Sequence, residues 1–128
     1  MTRYLPDEGL LVAEVLNDVD SSSRVPVDLA TKLPRRVIFK LSGTAVHPKF
    51  LDRPLVQISS YATSYAAAKA LAEDARVALY DAWRSQTRYA HGVVHRVTEV
   101  ASPFEVRTGT EPDGVFRFDQ THQIWTRP

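Results

Sequence analysis

A chain of 128 residues with 44% hydrophobic and 24% charged residues supports one core with a radius of gyration of about 14 Å, which excludes two independent domains and disorder throughout. The absence of cysteine excludes disulfides, Cys-ligated zinc, iron–sulfur clusters and a thiol nucleophile, and agrees with folding in a reducing cytosol. The formal net charge of +1 gives little reason to expect nucleic-acid affinity, and with neither a secretory leader pattern nor an apolar run near the ~20 residues of a membrane span, the expectation is one domain over residues 1–128, neither exported nor embedded.

The first expected element is a helix over residues 6–17. Pro6 suits its first position, Asp7 and Glu8 place negative charge at the positive end of the dipole, and Leu5 is a candidate staple. At 100° per residue Leu10, Leu11, Val12, Ala13, Val15 and Leu16 wrap most of the circumference, so the helix needs cover on more than one side. A central core helix and a helix covered by a second subunit both satisfy that need.

Ser21, Ser22 and Ser23 break the chain, and the stretch from Val25 to Leu33, bounded by Pro26 and Pro34, reads as an irregular extended connection. Val37 to Ser42 reads as a strand with Val37, Phe39 and Leu41 on one face, expected to be the core face, and Ile38, Lys40 and Ser42 on the other. Residues 43–54 combine one glycine, two prolines and charges and read as a long loop carrying Val46, Phe50 and Leu51, expected to act as a partner-contacting arm. Leu55 to Tyr61 resumes as a strand, with Val56 and Ile58 opposite Gln57 and Ser59.

Thr63 or Ser64 then caps the strongest element, a helix from Tyr65 to Arg84. Ala68, Leu71, Ala72, Ala75, Ala78, Leu79, Ala82 and Trp83 fill one arc, while Lys69, Glu73, Asp74, Arg76, Asp81 and Arg84 fill the other; small alanines let such a helix lie close to a sheet. Val77 and Tyr80 fall among the charges. They are either ordinary scattered apolar residues or part of an interface.

Residues 85–91 read as a loop and Gly92 to Ser102 as a valine-rich strand, after which Pro103 requires a bulge or an edge. Phe104 to Thr108 continues extended, residues 109–114 form a turn, and Val115 to Thr126 returns with Phe116, Phe118 and Ile124 on one face. The expected fold class is α+β: a mainly antiparallel sheet with two helices packed on one face, in the order α-β-β-α-β-β.

Little in the chain suggests catalysis or a cofactor. His91 and His95 lie about 13 Å apart on a strand, too far to share an ion unless His122 and Glu99 join them. No serine sits in a Gly-x-Ser-x-Gly elbow, and Gly9, Gly43, Gly92, Gly109 and Gly114 are never clustered into a phosphate loop. The carboxylate pairs Glu73 with Asp74 and Glu111 with Asp113 suit solvated positions better than acid–base work. The expectation is a protein that is not an enzyme and has no metal or other cofactor.

Charge is segregated along the chain. Residues 1–20 set Arg3 against Asp7, Glu8, Glu14, Asp18 and Asp20, a balance of −4, while residues 21–53 set Arg24, Lys32, Arg35, Arg36, Lys40, Lys49 and Arg53 against Asp28 and Asp52, a balance of +5. Aromatic interleaving in the basic segment is thin, with Phe39 and Phe50 alone, so acidic protein surface is a better partner for it than a nucleic acid. The expected arrangement pairs it with the acidic segment of an adjacent copy.

In order along the chain, the acidic and aliphatic helix from Pro6 to Leu16, Leu33-Pro34, Asp52-Arg53-Pro54-Leu55-Val56-Gln57-Ile58, Ala66-Ala67-Ala68-Lys69-Ala70-Leu71 running on to Leu79, and Gly92-Val93-Val94 leading to Val97-Thr98-Glu99-Val100 and Ser102-Pro103 resemble the tail terminator proteins of long-tailed bacteriophages, especially those of actinobacterial hosts. The resemblance implies a structural virion protein, assembled in the host cytoplasm, that forms a hexameric ring on the last ring of the tail tube, ends tube growth and presents a surface to the head-closure connector at the head-proximal end of the tail. Genomic DNA would pass through the lumen without specific binding. The expected interface residues are Arg24, Arg35, Arg36, Val46, Phe50, Leu51, Arg53, Val77 and Tyr80. Another head-to-tail connector or tail-completion protein is the neighbouring alternative, and a small nucleic-acid-binding module using the basic hairpin is the alternative from a different class.

Overall fold

The computed structural model describes residues 8–47, 51–109 and 111–128. It is a mixed α/β, α+β-class structure of two helices and one six-stranded sheet. Helix α1 (Glu8–Val15) leads to strand β1 (Asp20–Ser22), a 3₁₀ turn at Leu29–Thr31, strands β2 (Arg35–His47) and β3 (Leu51–Ala62), helix α2 (Tyr65–Ser85), and strands β4 (Arg88–Tyr89), β5 (Gly92–Glu105) and β6 (Phe116–Arg127). The expected element order omits β1 and β4, which at three and two residues are too short to leave a periodic signal. Pro6 and the proposed Leu5 staple lie outside the described residues.

The strands lie in the order β1-β2-β3-β6-β5-β4. Only β1 runs parallel to its neighbour, and the other four pairings are antiparallel. The expected loop over residues 43–54 is corrected: residues 43–47 and 51–54 are strand, because Gly43↔Pro54, Thr44↔Arg53, Ala45↔Asp52 and His47↔Leu51 continue the β2/β3 ladder, and residues 48–50 of that stretch lie outside the described residues. Gly43 and Pro54 are accommodated beside a register shift between Lys40 and Ser42, so residues that read as breakers are absorbed by a bulge. Pro103 likewise lies within a shift between Ala101 and Phe104, as its missing N–H requires.

One core joins Leu11, Val12 and Leu16, Ala75, Leu79 and Ala82 of α2, and Ile38, Val56, Ile58, Val94, Val97 and Ile124 of the sheet. Val56 and Ile58 share this face as their spacing demands, and so does Ile38, their neighbour across β2/β3. The reading of β2 is therefore corrected. Val37 and Phe39 turn to the opposite face, where Val37, Tyr61 and Leu29 form a second, smaller cluster with Leu33, Phe39 and Val115 against it. Alternation alone cannot say which side of a strand is the main core when both sides are covered at one end.

Helix α2 starts where Ser64 accepts a hydrogen bond from the Ala67 amide at 3.1 Å. It ends at Gln86, in the left-handed conformation at φ 50°, whose side-chain amide donates to the carbonyls of Trp83 at 2.6 Å and Val94 at 3.1 Å. The helix end is thus tied to β5. Ala68, Ala72 and Ala75 are fully buried, which brings the helix backbone close enough to be touched by polar side chains of the sheet.

Candidate functional site

Where sequence segregates charge, the fold recombines it within one chain. Parallel pairing of β1 with the start of β2 makes Asp20 and Arg35 direct register partners, and their charged groups lie 3.9 Å apart. Asp18 receives both terminal nitrogens of Arg36, the second at 3.1 Å, and that same nitrogen donates to the Leu71 carbonyl of α2 at 2.9 Å. The hydrogen bonds from Arg36 hold the Asp18 carboxyl below its ordinary range. Arg36 is wholly buried, so its assignment to a partner-facing surface is corrected: it bridges the N-terminal segment to the middle of α2. Arg35, with 12% of its side chain exposed, is likewise committed largely within the chain.

The other expected interface residues scatter. Arg24 is exposed beside Ser22, whose hydroxyl donates to the Arg24 carbonyl at 2.7 Å. Val46 lies in β2 and Leu51 opens β3 near the tip of the hairpin, while Phe50 lies outside the described residues. Val77 is 56% exposed on α2. Tyr80 is half-buried, its ring 5.8 Å from that of Trp83. Arg53 belongs to a different constellation, with its guanidinium 5.3 Å from the centre of the Trp125 ring and that of Arg96 5.8 Å from it.

A surface property absent from the expected list is the pair of strand edges. Beyond Ser22↔Val37, no described strand covers the outer side of β2, and beyond Arg88↔Val93 none covers the outer side of β5. Each edge carries exposed apolar side chains, Leu41 on β2 and Val100 and Phe104 on β5. Beside the β2 edge, Gly9, Leu10, Ala13, Ser21, Ser22, Ser23 and Ile38 line a cleft of about 370 Å³, and Leu10 is itself 49% exposed. The signal available in the sequence was Val100 and Phe104 flanking Ser102-Pro103, apolar residues around a proline that marks an edge.

The histidines do not converge. His91 joins Glu14 across from α1, His95 is exposed, and His122 is buried between Gln120, whose Oε1 is 2.7 Å from its Nε2, and the Glu99 strand position paired with it. Glu99 is engaged by Arg76 of α2 at 2.7 Å. Burial lowers the His122 pKa to about 4, the nearby Glu99 charge opposing and the Arg76 charge reinforcing that shift. Among the described residues there is no group of three or more metal-ligating side chains, and no helix is long and apolar enough to cross a membrane. No protein-family model matches the chain, and no curated protein aligns with it.

Proposed function

We propose that the protein is the subunit of a hexameric ring that caps a bacteriophage tail tube, ending its growth and offering the head-closure connector a joining surface. The reading rests on the sequence resemblance to tail terminators and on one observation of geometry, the two open edges. The long strands β2, β3, β6 and β5 alternate in direction, so the outer two run oppositely. Rotation about an axis along the strands preserves direction, and it therefore brings β5 of one copy antiparallel to β2 of the next. The ladder continues through the joint, and the contact is heterologous, as ring closure requires.

Six copies of four long strands give a barrel of about 24 strands, which at about 4.8 Å spacing and ordinary tilt is on the order of 50 Å across at the backbone, wider than a DNA duplex. In this arrangement both helices pack on the outer face of the sheet, in the basic order α-β-β-α-β-β with β1 and β4 as short additions. The opposite face lines the lumen. Closure also pairs two edges that no described strand of an isolated copy covers along most of their length.

The reading is tested by adding the protein to polymerising tail-tube protein. Capped tubes, shorter in proportion to the amount added and bearing one ring at one end, are the expected result. Tubes of unchanged length with no bound protein would contradict it, and binding only to tubes already terminated would assign the chain to a later connector.

A further inference from the structure

The two ends of the sheet use their charges differently. At the end that holds Tyr61 and its strand partners Arg35 and Arg117, Lys32 and Arg35 lie 3.8 and 3.9 Å from Asp28 and Asp20, Arg36 and Arg107 are bound to Asp18 and Glu105, and Arg117 reaches Glu111 at 3.5 Å and Asp119 at 2.8 Å. At the opposite end Arg84, Arg88, Arg96 and Arg127 form no ion pair among the described residues. We propose that this end of the molecule is a docking surface for an acidic protein surface. The charges belong to a single copy, and the proposal rests on the ring reading only in making this end a rim that faces the next ring of the tail.

The fold gathers these four arginines from four elements. Val93 pairs with Arg88 of β4 on one side and with Arg127 of β6 on the other, so one cross-strand row carries both, on the face away from the core that holds Val94. Arg96 follows along β5, past the register shift after Val94. Arg84 comes from the last turn of α2, on the other side of the sheet, and that turn is tied to β5 by the Gln86 amide, which donates to the carbonyls of Val94 at 3.1 Å and His95 at 3.2 Å. Arg84, Arg88 and Arg96 are exposed and Arg127 is half-buried. Carboxylates are fewer at this end: Glu14 accepts from the Ala90 and His91 amides at 3.0 and 2.8 Å, which leaves Asp81, one turn before Arg84, and Asp52, at the register of Thr126.

Two features favour a protein over duplex DNA as the occupant. The arginines stand on both sides of the sheet, so the surface they share is its end, a broad patch and not a single row that follows a phosphate backbone. Both tryptophans of the chain are also at this end, Trp83 in the last turn of α2 and Trp125 opposite Arg96 in the β5/β6 register, and each is half-buried. Arginine and tryptophan are the residue types that carry most of the energy of protein interfaces, whereas contacts to duplex phosphates draw nothing from half-buried indoles. Guanidiniums without a carboxylate of their own offer planar forks to the carboxylates of a partner, and a patch of one sign steers that partner and sets its orientation. The paired charges of the other end give no such preference.

The test is fluorescence anisotropy of two labelled probes, a short peptide of glutamate interspersed with leucine and a DNA duplex of mixed sequence with the same total charge, each titrated with the full chain over roughly 50 to 300 mM salt. Wild type is expected to hold the peptide more tightly than the duplex and to release it as salt rises. Arg84→Gln/Arg88→Gln, which changes two exposed side chains, should weaken peptide binding at low salt by about fivefold. Arg24→Gln, which removes an exposed cation of the other end, should leave it unchanged. No retention of the peptide by wild type, equal retention by the double variant, an equal loss in Arg24→Gln, or tighter capture of the duplex than of the peptide would each overturn the proposal. A chain that caps tail tubes but does not hold the peptide removes this contact alone; one that holds the peptide and leaves tubes unchanged in length removes the tail reading alone.

Discussion

Gln120, in the middle of β6, donates its side-chain amide to the Ala72 carbonyl in the middle of α2 at 2.8 Å, and both residues are fully buried. A helix carbonyl already serving its own helix takes a second donor from the sheet because Ala68, Ala72 and Ala75 allow the two backbones to approach. Arg36 makes the equivalent contact one residue earlier, at Leu71. Together they fix the position of α2 along the sheet, which apolar packing against alanine would specify only weakly.

The Arg36 bridge gives the first prediction. Asp18→Asn removes the counter-charge of a wholly buried guanidinium, whereas Arg36→Met fills the space with an apolar side chain and lets the half-exposed Asp18 return to water. Breaking a buried pair from one side costs about 3 kcal/mol, while apolar replacement is close to neutral or costs less. Urea unfolding of the two variants is therefore expected to show the larger loss for Asp18→Asn.

His122 gives the pH dependence. Its folded pKa of about 4 lies below the ordinary value of about 6.5, so the unfolded chain binds a proton that the folded chain refuses. The stability it contributes is complete above about pH 6.5 and is lost as pH falls towards 4, with about 2 kcal/mol gone by pH 5. Urea midpoints at pH 7 and pH 5 should separate for wild type and draw together for His122→Gln. Equal separation in both proteins would show that the carboxylates, not His122, set the response.

Much of this was legible in the sequence and some was not, for identifiable reasons. The 21-residue α2, its serine cap and the hairpin after Pro103 follow from strong local signals. The β2/β3 hairpin was hidden because glycine and prolines read as a loop until a bulge accommodates them. Arg36 was misplaced because one sequence cannot show that Asp18, 18 residues earlier and just ahead of β1, is brought to it by the parallel pairing of β1 with β2. The Arg53, Trp125 and Arg96 row depends on which strands are neighbours, and β3 lies beside β6 only after a crossover.

Val77 and Tyr80 separate the two readings of the outer face of α2. Val77→Ser should change stability by no more than about 0.5 kcal/mol, since Val77 is 56% exposed. Tyr80→Ser should cost about 1 kcal/mol or more because its ring packs near Trp83. Loss of assembly on Val77→Ser with an unchanged melting temperature marks an interface, and unchanged assembly marks an ordinary exposed valine.

Joining of copies β2 edge to β5 edge in a closed ring can be measured directly, because the absence of cysteine leaves introduced thiols as the reactive ones. Leu41→Cys and Phe104→Cys, one on each open edge and both about half exposed in the native residues, are combined in one chain and treated with a short bis-maleimide on assembled tails. A ladder of cross-linked species that stops at six copies, and none from either single variant, is the expected result. A ladder that stops at two, or single variants that cross-link as well as the double, would show like edges meeting and would contradict it.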